Sequence, residues 1–519
     1  MANKNVFTSA TRQTVPVANA RNEHRAPAYA LSPEHTLAQY ASTGCLNSTF
    51  YATAEQQMQT VLELCAQVDH KFITRTALWC RSEGNMKDMP ALLCAVLTVR
   101  DGALCEQIFS RVIDNGKMLR NFVQILRSGV VGRKSLGSRP RRMVRDWLDA
   151  QSDEAVFRAS VGNDPSLADV IKMVHPKPAN QARKALYAYL IGREHDASQL
   201  PQLVQVYEAF RNDQTKTVPN VPFEMLTSFD LKKKEWIEIA RNASWQMTRM
   251  NLNTFARHGV FEMPGMQKLV MDRLRDPAKI KAARVFPYQL LAAYTMSGED
   301  VPRKVRDALH DALEIATLNV PALDGRVYVL PDVSGSMHSP VTGHRAGSTT
   351  AVRCIDVAGL VAACVLRQNP EAKVIPFNDR VVKGVDLCGR DTVLTNANKL
   401  ASLPSGGTNC SAPLAYLNER HAKGDLLIYV SDNESWVDAR AGGRGTATMQ
   451  EWERFRSRNP SAKLVCIDIQ PYSTVQAQER NDILNIGGFS DSVFGVIADF
   501  AAGRLGSGHW VERINAVEL

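Results

Sequence analysis

Asp332, Ser334 and Ser336 occupy alternate positions in PDVSGSM, directly after the apolar run VYVL. One carboxylate and two hydroxyls on a loop that curls into a helix can converge on a single point. They are hard oxygen donors, suited to a cation with near-octahedral demands, above all Mg²⁺, which keeps several of its waters. Two further loops offer the same kind of side chain. Thr408 follows a Gly-Gly turn in PSGGTNCS, and Asp432 closes an apolar run in IYVSDNES. The competing reading is that these residues are N-caps and turns, places that Ser, Thr and Asp favour anyway. Three such loops in order, each after a strand-like run, favour a metal. Such a site is not itself catalytic, because no protein base accompanies it. Its open position suits an acidic side chain from a partner.

A second chemistry is written in cations. Residues 132–148, GRKSLGSRPRRMVRDWL, hold Arg133, Lys134, Arg139, Arg141, Arg142 and Arg145 beside loop amides and hydroxyls. That combination suits phosphate oxygens, although a solvated helix face would look similar. NDPSLADVIKMVHPKPANQARKALYAYLIG follows, with Lys172, His175, Lys177, Arg183 and Lys184. Lys172 and His175 are three apart and share a helix face, and Pro176 ends that helix. Taken singly, His175 reads as a structural cap. A third stretch, LKKKEWIEIARNASWQMTRMNLNTFARHGVF, mixes Lys232–Lys234, Arg241, Arg249 and Arg257 with Trp236 and Trp245. Aromatics among cations can stack exposed bases, and they can equally be core. No phosphate-binding G-x-x-x-x-G-K-[ST] loop, nuclease signature or G-x-S-x-G elbow occurs, so chemistry on RNA is not expected.

The elements that must hold these residues fall into two rhythms. From about Pro33 to Val320, segments such as AEQQMQTVLELCAQV and KMLRNFVQILRSGVVG place apolar residues at three- and four-residue steps. Gly102, Gly116 and Gly129 follow such segments and are candidate C-caps. Helices of about 12 to 15 residues with short links, without a strict sequence repeat, read as a degenerate α-solenoid. After Pro321, RVYVLPD, KVIPFN, DLLIYVSD and KLVCIDIQ alternate with helix-like stretches. Apolar strands alternating with helices mean a parallel sheet covered on both faces, with its site at the carboxyl ends of the strands.

Bulk composition agrees with two domains. The chain has 519 residues, 45% hydrophobic and 22% charged, and a formal charge of +9. Residues 322–519 carry 20 Lys and Arg against 21 Asp and Glu, leaving 42 against 32 for residues 1–321. The basic character belongs to the helical part, where a polyanionic partner is expected. Ten cysteines without a C-x-x-C pair argue against zinc and for reduced, buried thiols such as Cys94. No apolar leader and no run of 18 apolar residues is present, so a cytoplasmic location is expected. Residues 1–25 read as a mobile arm.

Asp-x-Ser-x-Ser, then a threonine, then an aspartate resembles the metal-ion-dependent adhesion site (MIDAS) of von Willebrand factor A domains. The resemblance implies that Asp332, Ser334, Ser336, Thr408 and Asp432 surround the metal, some through water. SLADVIKMVHPKP, MTRMNLNTFARHGV, ARVFPYQLLAAY and LPDVSGSM…GGTNC…SDNESW together resemble the Ro autoantigen family, in a bacterial form. That resemblance covers nearly all of the chain beyond the arm. It implies an α + α/β fold: a HEAT-like helical-repeat toroid, the TROVE module, over residues 26–321, then a mostly parallel, doubly wound von Willebrand A-like domain over 322–519. It also implies a non-catalytic protein of RNA quality control. Small structured Y-type RNA would bind an outer basic surface, with Lys172 and His175 on it and Lys134, Arg139, Arg141, Arg142 and Arg145 as its extension. Single-stranded ends of misfolded non-coding RNA would enter a central hole, with Arg249 and Arg257 among its candidates, and an exoribonuclease could be a partner. The alternative is a partner-binding A-like subunit of a larger complex without direct RNA binding.

Overall fold

The structure is a computed structural model that describes residues 15–43, 46–213, 216–283, 287–317, 320–344, 352–441, 443–488, 491–505 and 508–519. The chain forms two compact units. One comprises residues 60–316 and 514–519, the other residues 1–59 and 317–513.

The first unit is helical among its described residues. In Gly116–Ser128 the buried residues Met118, Leu119, Phe122, Val123 and Leu126 recur at helical spacing. Asn115 starts this helix by accepting the Met118 N–H at 3.0 Å, and Gly129 ends it in the left-handed region at φ 86°. Gly129 is therefore the expected C-cap. Gly102 and Gly116 are not: each is the first residue of the next helix, behind Asp101 and Asn115. A Cβ on Gly116 would come within 2.5 Å of the Ala159 Cβ, so close packing selects that glycine. Helices of 11–13 residues span much of 70–150, but from Asp153 to Thr295 they shorten to 6–11.

Among its described residues the second unit is built on eight short strands: β1 Ala20–Arg21, β2 Pro27–Ala30, β3 Val327–Pro331, β4 Lys373–Val374, β5 Leu426–Ser431, β6 Lys463–Asp468, β7 Thr474–Val475 and β8 Ile483–Gly487. The main sheet has the order β4-β3-β5-β6-β8, and every pairing in it is parallel. The four expected runs supply four of its strands. β8, in DILNIGG, is a fifth that the sequence reading did not include. Every residue of β3 and β5 is buried, as a sheet covered on both faces requires. Cys354–Gln368 and Ala412–Glu419 are the expected helices, and Trp452, Tyr429 and Phe455 fill the core.

Residues 26–59, assigned to the helical module from sequence, fall in this second unit. β2 pairs antiparallel with β1 and with β7. The helix Pro33–Thr43 packs on β8, and a His35 ring nitrogen bonds the Asn485 carbonyl at 2.8 Å. Of the expected mobile arm, residues 1–14 lie outside the described residues. Residues 15–25 are held, with the Ala18 N–H on the Arg444 carbonyl and the Tyr29 hydroxyl on that of Pro16. Backbone pairing across some 400 residues of sequence leaves no local periodicity to read. None of the nine described cysteines is in a disulfide, and of these nine Cys388 alone is exposed; Cys45 lies outside the described residues. Among the described residues no helix is long and apolar enough to cross a membrane.

Candidate metal centre and nucleic-acid interface

The parallel register of β3 and β5 sets Pro331 beside Val430, so both chains leave the sheet at the same edge. Asp332 follows β3 and Asp432 follows β5. The Asp332 carboxylate accepts the Ser334 N–H at 2.8 Å through one oxygen and the Ser431 hydroxyl at 2.6 Å through the other. The Ser334 and Ser336 hydroxyls lie 3.4 Å apart, and Asp432 accepts the Glu434 N–H at 3.2 Å. The Thr408 loop is knitted to both others. Gly335 N–H bonds the Gly406 carbonyl at 3.0 Å, and the Thr408 carbonyl takes the N–H groups of Trp436 and Val437 at 3.1 Å each. All five residues expected from sequence thus lie on three joined loops, each buried to within 6% of full burial.

Burial raises both carboxyls, that of Asp332 to about 7, with the neighbouring Asp432 charge adding to the rise. Two buried carboxyls and three hydroxyls are a donor set that fits a hard divalent cation. No group of three or more His, Cys, Asp or Glu able to hold a metal occurs among the described residues. A cation here would therefore depend on the hydroxyl oxygens, which favours magnesium-like over softer metals. Sequence reasoning missed Ser431, whose hydroxyl orients Asp332, and the buried Glu434, whose carboxyl burial and Asp432 push up to about 9. Their signal was present in VSDNES, as polar residues in a segment otherwise destined for the core.

On the helical unit, Ser138–Ala150 turns Met143, Val144, Trp147 and Leu148 inward and leaves Arg139, Arg141 and Arg142 exposed, with Arg145 half-buried. Arg142 pairs with Glu106 at 2.6 Å, and Arg139 approaches the same carboxylate at 3.6 Å. Lys134 and Arg141 make no salt bridge among the described residues, and the Lys134 stem lies over Gly129. This helix packs against Leu167–Val174, which carries the exposed Lys172 in its last turn. His175 is not on the regular helix face. It is the left-handed cap at φ 49°, its N–H on the Ile171 carbonyl at 2.9 Å and its side chain exposed. Arg183 is a buried structural cation, bound to Asp153 and to the carbonyls of Leu148 and Gln151.

The third stretch divides differently. Trp236 and Trp245 are core, the first stacked on His258 at 4.3 Å and the second donating to the Leu274 carbonyl at 3.1 Å. Neither is placed to stack a base. Arg249 is half-buried and donates to the Gln289 carbonyl at 2.7 Å; desolvation lowers its pKa to about 10. Arg257 is exposed.

A parallel five-stranded sheet with a MIDAS-type loop set at its carboxyl edge defines a von Willebrand A-like domain, preceded in this chain by a helical module. Residues 326–501 match the family described as "Ro60 vWA domain". A protein of Deinococcus radiodurans named RNA-binding protein RO60 is 24% identical over 93% of this chain and 96% of its own length. A protein of the same name from Caenorhabditis elegans is 24% identical over 74% of this chain, which spans 61% of that relative. The crystal structure of the Deinococcus radiodurans RO (RSR) protein superposes with a TM-score of 0.62 at 23% identity, covering 91% of this chain and all of the other. The chain is thus similar to these Ro proteins over most of its length, and residues 326–501 carry the family match.

Proposed function

We propose that the protein binds structured small RNA through a basic face of its helical unit and performs no chemistry on it. The observation that carries this reading is the packing of Ser138–Ala150 on Leu167–Val174. It gathers Arg139, Arg141, Arg142, Lys172 and His175, which the sequence spreads over nearly 40 residues, onto neighbouring elements. Phosphate recognition needs such a cluster of exposed cations that internal carboxylates do not fully neutralise. The relatives' printed names, RNA-binding protein RO60, support the same ligand class. Y-type RNA as the structured ligand, and misfolded RNA with single-stranded ends as a second one near Arg249 and Arg257, complete the proposal. An exoribonuclease partner and a cytoplasmic location rest on the family resemblance and the composition.

We further propose that Asp332, Ser334, Ser336, Thr408 and Asp432 hold Mg²⁺, which would supply the positive charge that their buried carboxyls lack. A gel-shift titration at two salt concentrations tests the RNA reading, comparing a blunt hairpin with the same hairpin bearing a single-stranded 3′ tail. Salt-sensitive binding that tightens with the tail is expected. Binding indifferent to the tail would remove the second ligand, and no binding to either would remove the RNA reading.

A further inference from the structure

Asp332, Ser334, Ser336, Thr408 and Asp432 are between 0% and 6% exposed. A site open to a partner's carboxylate would leave its free position in solvent. Here residues from the N-terminal part of the same compact unit lie against the loops. The Asn22 amide donates to the Ser435 carbonyl at 2.6 Å, and the Glu23 N–H to a Glu434 carboxylate oxygen at 2.9 Å. These contacts set His24 with its ring 5.4 Å from that of Trp436 and its Nε2 2.9 Å from the Tyr51 hydroxyl.

Tyr51 is also held from behind. Its ring packs edge-on against Tyr472 and Phe50, at 5.2 and 4.7 Å. Its neighbours are fastened to the A-like domain: the His344 N–H to the Ser48 carbonyl at 2.7 Å, the Asn47 amide to the Thr342 carbonyl at 2.9 Å, and Thr49 to the Tyr472 hydroxyl at 3.4 Å. Through His24 and Glu23 the Tyr51 hydroxyl is tied to the loop of Asp432 and Glu434, and burial together with the charges of Asp432, Glu434 and Asp332 raises its pKa. A phenol so placed is a neutral oxygen at the rim of an all-oxygen site.

We propose that Tyr51, backed by His24, is an internal cap on the metal site: its hydroxyl occupies the direction from which an outside carboxylate would approach. This rests on the Mg²⁺ reading above. The cation then fastens residues 22–24 and 47–51 to the A-like domain and does not recruit a partner. The aromatic side chain excludes exchangeable water as well as carboxylates from that position.

Mn²⁺, a hard ion that accepts the same oxygen ligands, gives the readout through water-proton relaxation on the full chain, with acetate as the carboxylate probe. The unmodified protein is expected to bind Mn²⁺ with low relaxivity that acetate does not change. Tyr51→Ala should raise the relaxivity of the bound ion by about twofold, as one or more waters enter, and acetate should then lower it. Tyr51→Phe keeps the ring and its packing and should give a smaller rise in the same direction; it decides the matter if the alanine variant does not fold. Acetate sensitivity in the unmodified protein, or unchanged relaxivity in Tyr51→Phe and in folded Tyr51→Ala, would overturn the cap while leaving the metal in place. Failure of the unmodified chain to bind Mn²⁺, or binding that survives Asp332→Ala, would overturn the metal reading itself and the cap with it.

Discussion

His175 holds two roles that a single substitution can separate. Its backbone is the left-handed cap of Leu167–Val174, the helix that carries Lys172 and packs on the arginine helix, and its side chain is exposed. Glycine adopts that backbone without the Cβ penalty, so His175→Gly should keep stability or raise it by up to about 1 kcal/mol. The same variant should bind hairpin RNA more weakly, and Lys172→Ser with His175→Ser should lose on the order of tenfold at moderate salt. Circular dichroism and a gel shift on the same samples check both; lost helix content together with lost binding would make the site structural. Glu479 offers a test of burial. Its carboxylate accepts two bonds from Asn485, at 2.7 and 2.8 Å, yet desolvation outweighs them and holds the carboxyl up at about 8. The group is protonated in the fold and ionised in the unfolded chain at neutral pH. Its contribution to stability is full below the ordinary carboxylate range and lost as pH rises through about 8. Glu479→Gln should remove that loss, so Tm of the unmodified protein should fall relative to the variant between roughly pH 5 and 9.

At the scale of elements, Asp101 shows what the sequence displays and what it hides. It ends one helix by donating its N–H to the Leu97 carbonyl at 2.9 Å, and it starts the next by accepting the N–H groups of Ala103 and Leu104. Reading Gly102 as a C-cap located the joint correctly and misassigned the residue that makes it; the aspartate before the glycine was the stronger signal. Asp101→Ala should cost about 1 kcal/mol in urea unfolding, with an unchanged m-value. An unchanged midpoint would show that packing alone sets this joint. The apolar runs of β3, β5 and β6 were legible because burial on both faces leaves no polar residue to interrupt them. β8 was not, since it carries Asn485 at its centre, whose side-chain NH2 donates to Glu479 and to the Ala477 carbonyl. That three oxygen-donor loops stand at strand ends was legible because each follows an apolar run. What lies against them was not, because Asn22, Glu23 and His24 meet Ser435, Glu434 and Trp436 across roughly 400 residues of chain, where only tertiary structure creates the contact.

Charge divides the molecule more sharply than length does. Residues 322–519 are nearly neutral, with 20 basic against 21 acidic residues, whereas residues 1–321 hold 42 against 32. Phosphate binding draws on net positive potential, and a buried oxygen-ligand site on the other unit neither adds to that potential nor needs it. The two activities should therefore separate by mutation in the whole chain. Asp332→Ala removes a carboxylate that is 0% exposed. If these residues hold Mg²⁺ as proposed, Mg²⁺ should raise the Tm of the unmodified protein and not that of the variant, because a ligand stabilises only the state that binds it. Without the metal the variant need not be less stable, since it relieves two like charges buried together. Its affinity for hairpin RNA, and the slope of that affinity with salt, should match the unmodified protein. A large loss of RNA affinity in Asp332→Ala, with Tm intact, would mean that the metal loops and the basic helices are coupled. The charge partition would then describe where the cations lie without describing where the RNA is read.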